Sequence, residues 1–306
     1  MKKLLILSGK GGTGKTTTAA AFIHFSEANA FADCDVDAPN LHLVTSTSTT
    51  DNILATSPVV SDFYGSKKAF LDPTKCIQCG LCFQSCRFHA IQLISEQYSV
   101  SEYHCEGCGV CEYVCPHSAI TLQDDIAGTL TLHTTPAIFS TAKLKMGRGN
   151  SGKLVTAVKS QLTTACSSDS SNRKLDIAII DGSPGIGCPV IASVSGVDLV
   201  LIVTEPTLSG MSDMERIVKT ASILQTNVAV CVNKWDTSEE NTERIELFCQ
   251  EHELAYVGRI PYDKQASLAI NSAKTLAEID CPASNALQKV YHEVIHLLSS
   301  TNARTN

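Results

Sequence analysis

Two stretches of the sequence carry residue types at spacings that chemistry can use. The first is Gly9-Lys10-Gly11-Gly12-Thr13-Gly14-Lys15-Thr16. It follows the apolar run Leu4-Leu5-Ile6-Leu7 and precedes a helix-like run from Thr17 to about Ala28. Gly9, Gly14, Lys15 and Thr16 stand at the spacing of a P-loop. The glycines let the backbone curl so that several N–H groups face one concavity, which suits phosphates together with the helix N-terminus that follows. Lys15 can reach the β- and γ-phosphates, and the Thr16 hydroxyl can sit on Mg²⁺. Gly11, Gly12, Thr13, Gly14 and Thr17 complete the cradle. A chance glycine-rich turn would supply these letters, but not the strand before them and the helix after. The second stretch holds eight of the fourteen cysteines, from Cys76 to Cys115. Nothing indicates secretion, so this density points to metal rather than disulfides.

These residues need elements to hold them. At 306 residues and 43% hydrophobic content the chain can bury a large core. Net charge is −7, with no basic stripe, so nucleic acid is not an expected partner. The N-terminal apolar run is too short for a signal peptide, and no stretch approaches the roughly 20 apolar residues of a membrane span. A soluble, cytoplasmic protein is expected. Residues 2–7 read as a buried strand and 14–28 as a helix. Residues 30–34 are a weak strand, since alanine is a poor strand former, and are assigned by the α/β pattern. Residues 45–50 read as a polar loop and 52–70 as short strands. Residues 130–132 suggest a strand. Leu154, Val155, Val158 and Leu162 fall at helical spacing, which predicts a helix over 151–166. Residues 175–181 and 197–203 are apolar, β-branched runs suited to central parallel strands. Helices at 211–224, 237–251 and 284–298 alternate with strands at 228–232 and 256–260. The pattern predicts an α/β fold with a doubly wound, mostly parallel sheet. Between 71 and 126 it gives way to turn-rich, cysteine-dense sequence. The expected organisation is one α/β domain formed by 1–70 and 127–306, interrupted by an insertion at 71–126.

Lys10 is a second lysine inside the P-loop. That form resembles the deviant Walker A of the MinD/ParA/Mrp family, which includes the nitrogenase iron protein. The resemblance implies that Lys10 reaches across a dimer interface to the partner's nucleotide; otherwise it is a solvated surface lysine. Asp33-Cys34-Asp35-Val36-Asp37 ends the second strand, where a carboxylate can orient an attacking water. The family pattern maps the catalytic aspartate to Asp35, with Asp37 and Asp33 as runners-up. The apolar strand 176–181 ends in Asp181 like a Walker B, beside the expected Mg²⁺. Gly182-Ser183-Pro184-Gly185-Ile186-Gly187 resembles the family's switch II, where glycines allow a change of shape when the γ-phosphate leaves. Asn233 offers a donor and an acceptor to a purine edge. Asn233-Lys234-Trp235-Asp236 also resembles a guanine-reading motif, but the other motifs favour ATP. Pro261 and Asp263 lie in the loop that brackets the base in relatives, although Asp263 can equally cap the next helix. Lys153 and Glu205 match one branch of the family, the MinD-type ATPases with an inserted ferredoxin domain, without an assignable role.

The cysteine runs are Cys76-x2-Cys79-x2-Cys82-x3-Cys86 and Cys105-x2-Cys108-x2-Cys111-x3-Cys115-Pro116. Each is similar to the run of bacterial two-cluster ferredoxins, in which the fourth cysteine ligates the other cluster. The resemblance implies one [4Fe–4S] cluster on Cys76, Cys79, Cys82 and Cys115, and a second on Cys105, Cys108, Cys111 and Cys86. Ala90-Ile91 and Ala119-Ile120 occupy matching offsets. Arg87 stands where ferredoxins usually have proline. Cys34, Cys166, Cys188, Cys231, Cys249 and Cys281 read as ordinary small apolar residues, with Cys188 set apart by its place next to the switch-II-like stretch.

The expected cofactors are ATP, Mg²⁺ and two [4Fe–4S] clusters. The expected function is an ATPase whose nucleotide-dependent dimer drives electron transfer to an unidentified redox partner. The dimer partner is a second copy or a paralogue. Two alternatives are an Mrp-type carrier that loads Fe–S clusters onto an acceptor, and a MinD/ParA-like regulator sensing redox state. A glutamine-dependent amidation has no room for its nucleophile domain. The apolar face Leu287, Val290, Val294 and Leu298 is expected to pack on the sheet rather than anchor a membrane.

Overall fold

The computed structural model describes residues 1–45, 57–272 and 274–300, so the expectations for 46–50 and 52–56 lie outside the described residues. In chain order the strands are β1 (Lys2–Leu7), β2 (Ala30–Asp33), β3 (Val59–Tyr64), β4 (Lys68–Leu71), β5 (Ile91–Ile94), β6 (Gln97–Val100), β7 (Ile120–Gln123), β8 (Ile126–His133), β9 (Ile138–Leu144), β10 (Ile177–Asp181), β11 (Leu199–Thr204), β12 (Asn227–Asn233) and β13 (Ala255–Ile260). The chain divides into two compact units: Met1–Val60 with Leu130–Lys143 and Ser151–Asn306, and Ser61–Thr129 with Leu144–Asn150.

In the larger unit the strand order is β13-β12-β11-β1-β10-β2-β9-β8. Every pairing from β13 through β9 is parallel. All six residues of β11 are buried, as a strand covered on both faces requires. Ile6 lies level with Asp181, and Asp181 with Asp33. This register brings the carboxyl ends of β1, β10 and β2 to one edge of the sheet, where open α/β sheets bind ligands. Leu4, Ile6, Phe22, Phe31, Phe139 and Leu201 are among the core residues, each fully or almost fully buried. Each such side chain contributes about 1.5–3 kcal/mol.

The strand β9 has no counterpart in the sequence reading. Its Ser140 breaks the apolar pattern, yet Ser140 is fully buried. Its hydroxyl is satisfied by the Val158 carbonyl at 3.0 Å and Gln161 Oε1 at 2.7 Å, both on the helix Ser151–Ser168. A hydroxyl with partners costs little to bury. The closing helix Pro282–Ser300 turns Leu287, Val290, Val294 and Leu298 into the core. Its Tyr291 ring meets Phe22 edge-on at 5.2 Å. No described helix is long and apolar enough to cross a membrane.

The smaller unit is a repeat. Adding 29 to each cysteine number of the first run gives the second, from Cys76 and Cys105 to Cys86 and Cys115. The backbone repeats with it. Asp72 N–H donates to the Ala119 carbonyl at 2.8 Å, and Ser101 N–H to the Ala90 carbonyl at 2.7 Å. Gly80 (φ 78°, ψ −4°) and Gly109 (φ 80°, ψ −6°) sit in the same left-handed turn before the third cysteine of each run. Only glycine enters that region without cost. Strand β4 pairs antiparallel with β7, and β5 with β6. Arg148 ties residues 144–150 into this unit through Glu102 at 2.6 Å and Asp125 at 2.8 Å.

Candidate functional site

Strand β1 delivers the chain into the glycine-rich loop, and the helix Lys15–Ser26 leaves it. Gly14 caps that helix in a left-handed conformation (φ 91°) with no side-chain cap. The first N–H groups of the helix therefore face the loop without a side-chain acceptor. A Cβ at Gly11 or Gly12 would meet nothing within 4 Å, so the space over the loop is open. Thr13 is buried, and Thr17 is half-buried on the first helical turn. Lys15 Nζ meets Asp181 Oδ1 at 2.6 Å, and the Thr16 hydroxyl donates to Asp181 Oδ2 at 2.7 Å. The lysine and hydroxyl expected to serve phosphate and Mg²⁺ thus share the carboxylate that ends β10. Burial pushes the Asp181 carboxyl up, against the pull of Lys15 and Thr16.

The three aspartates after β2 separate by environment. Asp33 is fully buried and accepts backbone N–H bonds from Asp35 at 3.0 Å and from Asn40 and Leu41 at 2.9 Å. Burial first, then the neighbouring Asp181, raise it to about 7, against the Leu41 and Asp35 N–H groups and Lys15. Asp33 anchors the loop. Asp37 is exposed, and Asp35 is half-buried between them. Burial raises Asp35, with Lys15 the largest opposing influence. The segment after Asp181 is stitched to both neighbours. Gly182 N–H donates to Ile6 at 2.9 Å, Gly185 N–H to Ser8 at 3.0 Å, and the Ser183 hydroxyl to the Cys34 carbonyl at 2.5 Å. The helix Cys188–Val194 follows, and Lys159 Nζ donates to its Ala192 and Ser193 carbonyls at 2.9 and 2.6 Å. A lysine there satisfies the orphan carbonyls of a helix end. Burial lowers it to about 8. Cys188 is exposed.

The outer side of the loop is braced by distant residues. Asn233, at the end of β12, donates through Nδ2 to the Thr13 carbonyl at 2.8 Å, and Lys234 Nζ lies 3.3 Å from the Gly12 carbonyl. Glu205, which had no role in sequence, holds Lys234 Nζ at 2.5 Å. Lys10 Nζ is exposed and bonds the Ser209 hydroxyl. Asp236 Oδ1 accepts the Tyr262 N–H at 2.7 Å. Pro261 is half-buried beside it. Asp263 accepts N–H bonds from Gln265 at 2.9 Å and Ala283 at 3.3 Å, at the starts of two helices. Those bonds hold its carboxyl below the usual carboxylate range. Lys153 is exposed on its helix.

In the smaller unit the cysteines line two cavities. One is lined by Cys76, Cys79, Cys82 and Cys115. The other is lined by Cys86, Cys105, Cys108 and Cys111. Each cavity therefore takes three cysteines from one run and the fourth from the other. Backbone N–H groups aim at the sulfurs: Ala90 at Cys86 Sγ (3.3 Å), Ala119 at Cys115 Sγ (3.2 Å) and Ala69 at Cys105 Sγ (3.3 Å). Burial raises the Cys82 thiol, and Cys76, Cys115 and Cys79 raise it further. Burial pushes Cys111 up to about 11, with Cys105 and Cys108 adding to it. Clustered thiols resist ionisation until a cation compensates them. Among the described residues no three or more His, Cys, Asp or Glu side chains converge as a single-ion site. A set of four cysteine thiols lining one cavity fits an iron–sulfur group. Arg87 is exposed, 5.9 Å from the Phe88 ring that lines the second cavity.

A family model, that of the CobQ/CobB/MinD/ParA nucleotide binding domain (CbiA), matches residues 4–276. The chain belongs to this family. Among solved structures of related fold, Pyrococcus horikoshii MinD, complexed with Mg-ADP, is 16% identical with a TM-score of 0.54, covering 98% of each chain. At that identity the likeness concerns the fold. The uncharacterized protein MJ0578 of Methanocaldococcus jannaschii is 28% identical over 295 residues, 95% of this chain and 96% of its own. Two shorter similarities cover only part of the chain. Pyruvate synthase subunit PorD of Methanothermobacter marburgensis is 36% identical over 56 residues, 18% of this chain and 65% of that protein. An iron-sulfur cluster carrier protein of Methanococcus maripaludis is 27% identical over 135 residues, 40% of this chain and 47% of its own.

Proposed function

We propose that this protein is an Mg²⁺-dependent ATPase that couples a nucleotide-driven dimer switch to electron transfer through two [4Fe–4S] clusters. One observation carries the reading: a single chain combines the Lys15–Thr16–Asp181 constellation of a nucleotide switch with two cavities of four cysteines each. Lys15 and the loop N–H groups bind the phosphates. Thr16 and Asp181 hold the Mg²⁺, and Asp35 orients the attacking water. Lys10 acts on the nucleotide of the dimer partner, a second copy or a paralogue. Asn233, Pro261 and Asp263 border the base. The residues 182–187, bonded to both β1 and the Cys34 carbonyl, relay nucleotide state to the core of the sheet. Cys76, Cys79, Cys82 and Cys115 hold one cluster, and Cys105, Cys108, Cys111 and Cys86 the other, so that residues 71–126 form a ferredoxin-like insertion. Bound clusters supply one-electron chemistry, each carrying roughly −2 when oxidised.

The similarity to a cluster carrier favours a second reading, in which the clusters are cargo released to an acceptor. Anaerobic reconstitution followed by ATP hydrolysis and EPR, with and without nucleotide, tests the two. Retained clusters whose spectra respond to ATP support electron transfer. Loss of cluster to an apo-acceptor on ATP turnover supports the carrier. Hydrolysis that depends on cluster oxidation, with no acceptor reduced, supports the redox-sensing regulator instead.

A further inference from the structure

Glu205 and Lys234 stand 29 residues apart in the sequence, yet they meet beside the phosphate loop. Lys234 is held in a left-handed conformation (φ 55°), uncommon for a lysine. Its backbone is locked on both sides. Its N–H donates to Asn233 Oδ1 at 3.0 Å, and its carbonyl accepts from the Thr237 hydroxyl at 2.7 Å. The side chain is thereby aimed at the loop, where its ammonium lies 3.3 Å from the Gly12 carbonyl and 2.5 Å from Glu205 Oε1. The side chains are only 34% and 24% exposed.

The consequence follows from peptide geometry. In a trans peptide the C=O and the next N–H point in opposite directions. Lys234 draws the Gly12 carbonyl to the outside of the loop, and Asn233 draws the Thr13 carbonyl the same way at 2.8 Å. The Thr13 and Gly14 N–H groups on those peptides are thus turned inward, as an anion-binding nest requires. We propose that Glu205 and Lys234 form a positioning pair, in which Glu205 pins the Lys234 ammonium to the Gly12 carbonyl and so presets the loop for phosphate. Glu205 acts through Lys234 and touches no substrate. The pair rests on the nucleotide reading above and gives a part to Glu205, which the family pattern leaves without one.

The test is a double-mutant cycle on the full chain, with Mg-ADP binding measured by calorimetry. Lys234→Met is expected to weaken binding about tenfold and Glu205→Gln about threefold, the range of a partly exposed charged contact. The double variant is expected to match Lys234→Met alone, since Glu205 has nothing left to position. Lys234→Arg, which keeps a donor for both partners, is expected to stay within about threefold of wild type. A merely structural role would give neither the saturation nor the rescue. Wild-type affinity in Glu205→Gln, or multiplying losses in the double variant, overturns the pair alone. A wild-type chain that takes up no ADP overturns the nucleotide reading and the pair together.

Discussion

Cys115→Ser separates crossed ligation from local ligation. If each run of four held its own cluster, Cys115 would act with Cys105, Cys108 and Cys111. In the structure it lines the cavity of Cys76, Cys79 and Cys82 instead, with the Ala119 N–H 3.2 Å from its sulfur. Removing one thiolate of four leaves that cavity unable to retain a cube, while the cavity of Cys86, Cys105, Cys108 and Cys111 keeps its full set. Iron should fall from about eight to about four per chain. The cycle decides the geometry. Cys115→Ser with Cys82→Ser removes two ligands of one cavity and should still retain about four iron. Cys115→Ser with Cys111→Ser removes one ligand from each cavity and should leave close to none. Iron and sulfide analysis after anaerobic reconstitution, with EPR of the reduced samples, reads the count. The reverse pattern, with Cys115 and Cys111 behaving as one site, refutes crossed ligation.

Three other perturbations have defined outcomes. Lys10→Ala should still bind ATP but lose hydrolysis, measured as phosphate release; an unchanged rate removes the dimer argument. Gly14→Ala would place a Cβ 2.4 Å from Asn233 Nδ2 at a φ of 91°, so it should cost about 1–2 kcal/mol in chemical denaturation and weaken nucleotide binding; unaltered stability and binding would mean the loop does not need that conformation. Asp33 titrates near 7 in the folded chain against about 3.9 unfolded, so the fold binds that proton more tightly. Its contribution to stability is complete below about pH 4 and is lost as pH rises to about 7. Thermal unfolding should show this decline in wild type and lose it in Asp33→Asn, and equal slopes in both would contradict the assignment.

What the sequence revealed divides by the range of the physics. The glycine loop and the cysteine spacings are local demands of backbone and ligand geometry, so they stand out in the letters. The strands β1, β10 and β11 are legible because burial on both faces makes them continuous apolar runs. Strand β9 was not, because Ser140 is tolerated only through partners on a helix that begins eleven residues further on. Among the aspartates, the letters favoured Asp35 but could not show that Asp33 is occupied by three backbone N–H groups. The contacts of Glu205, Lys159 and Ser183 were hidden for the same reason: their partners are backbone carbonyls or side chains far along the chain. The sequence allows Asp263 both as a base-bracketing residue and as a cap, and its hydrogen bonds lie at two helix starts.

In the proposed function, nucleotide state governs the movement of electrons out of the cysteine segment. Its most direct test is the rate at which anaerobically reconstituted, reduced protein transfers electrons to an acceptor dye with Mg-ATP, with Mg-ADP and without nucleotide. The coupling predicts a faster rate with ATP than in the other two conditions, and loss of that difference in Asp181→Asn. Equal rates in all three conditions would contradict it.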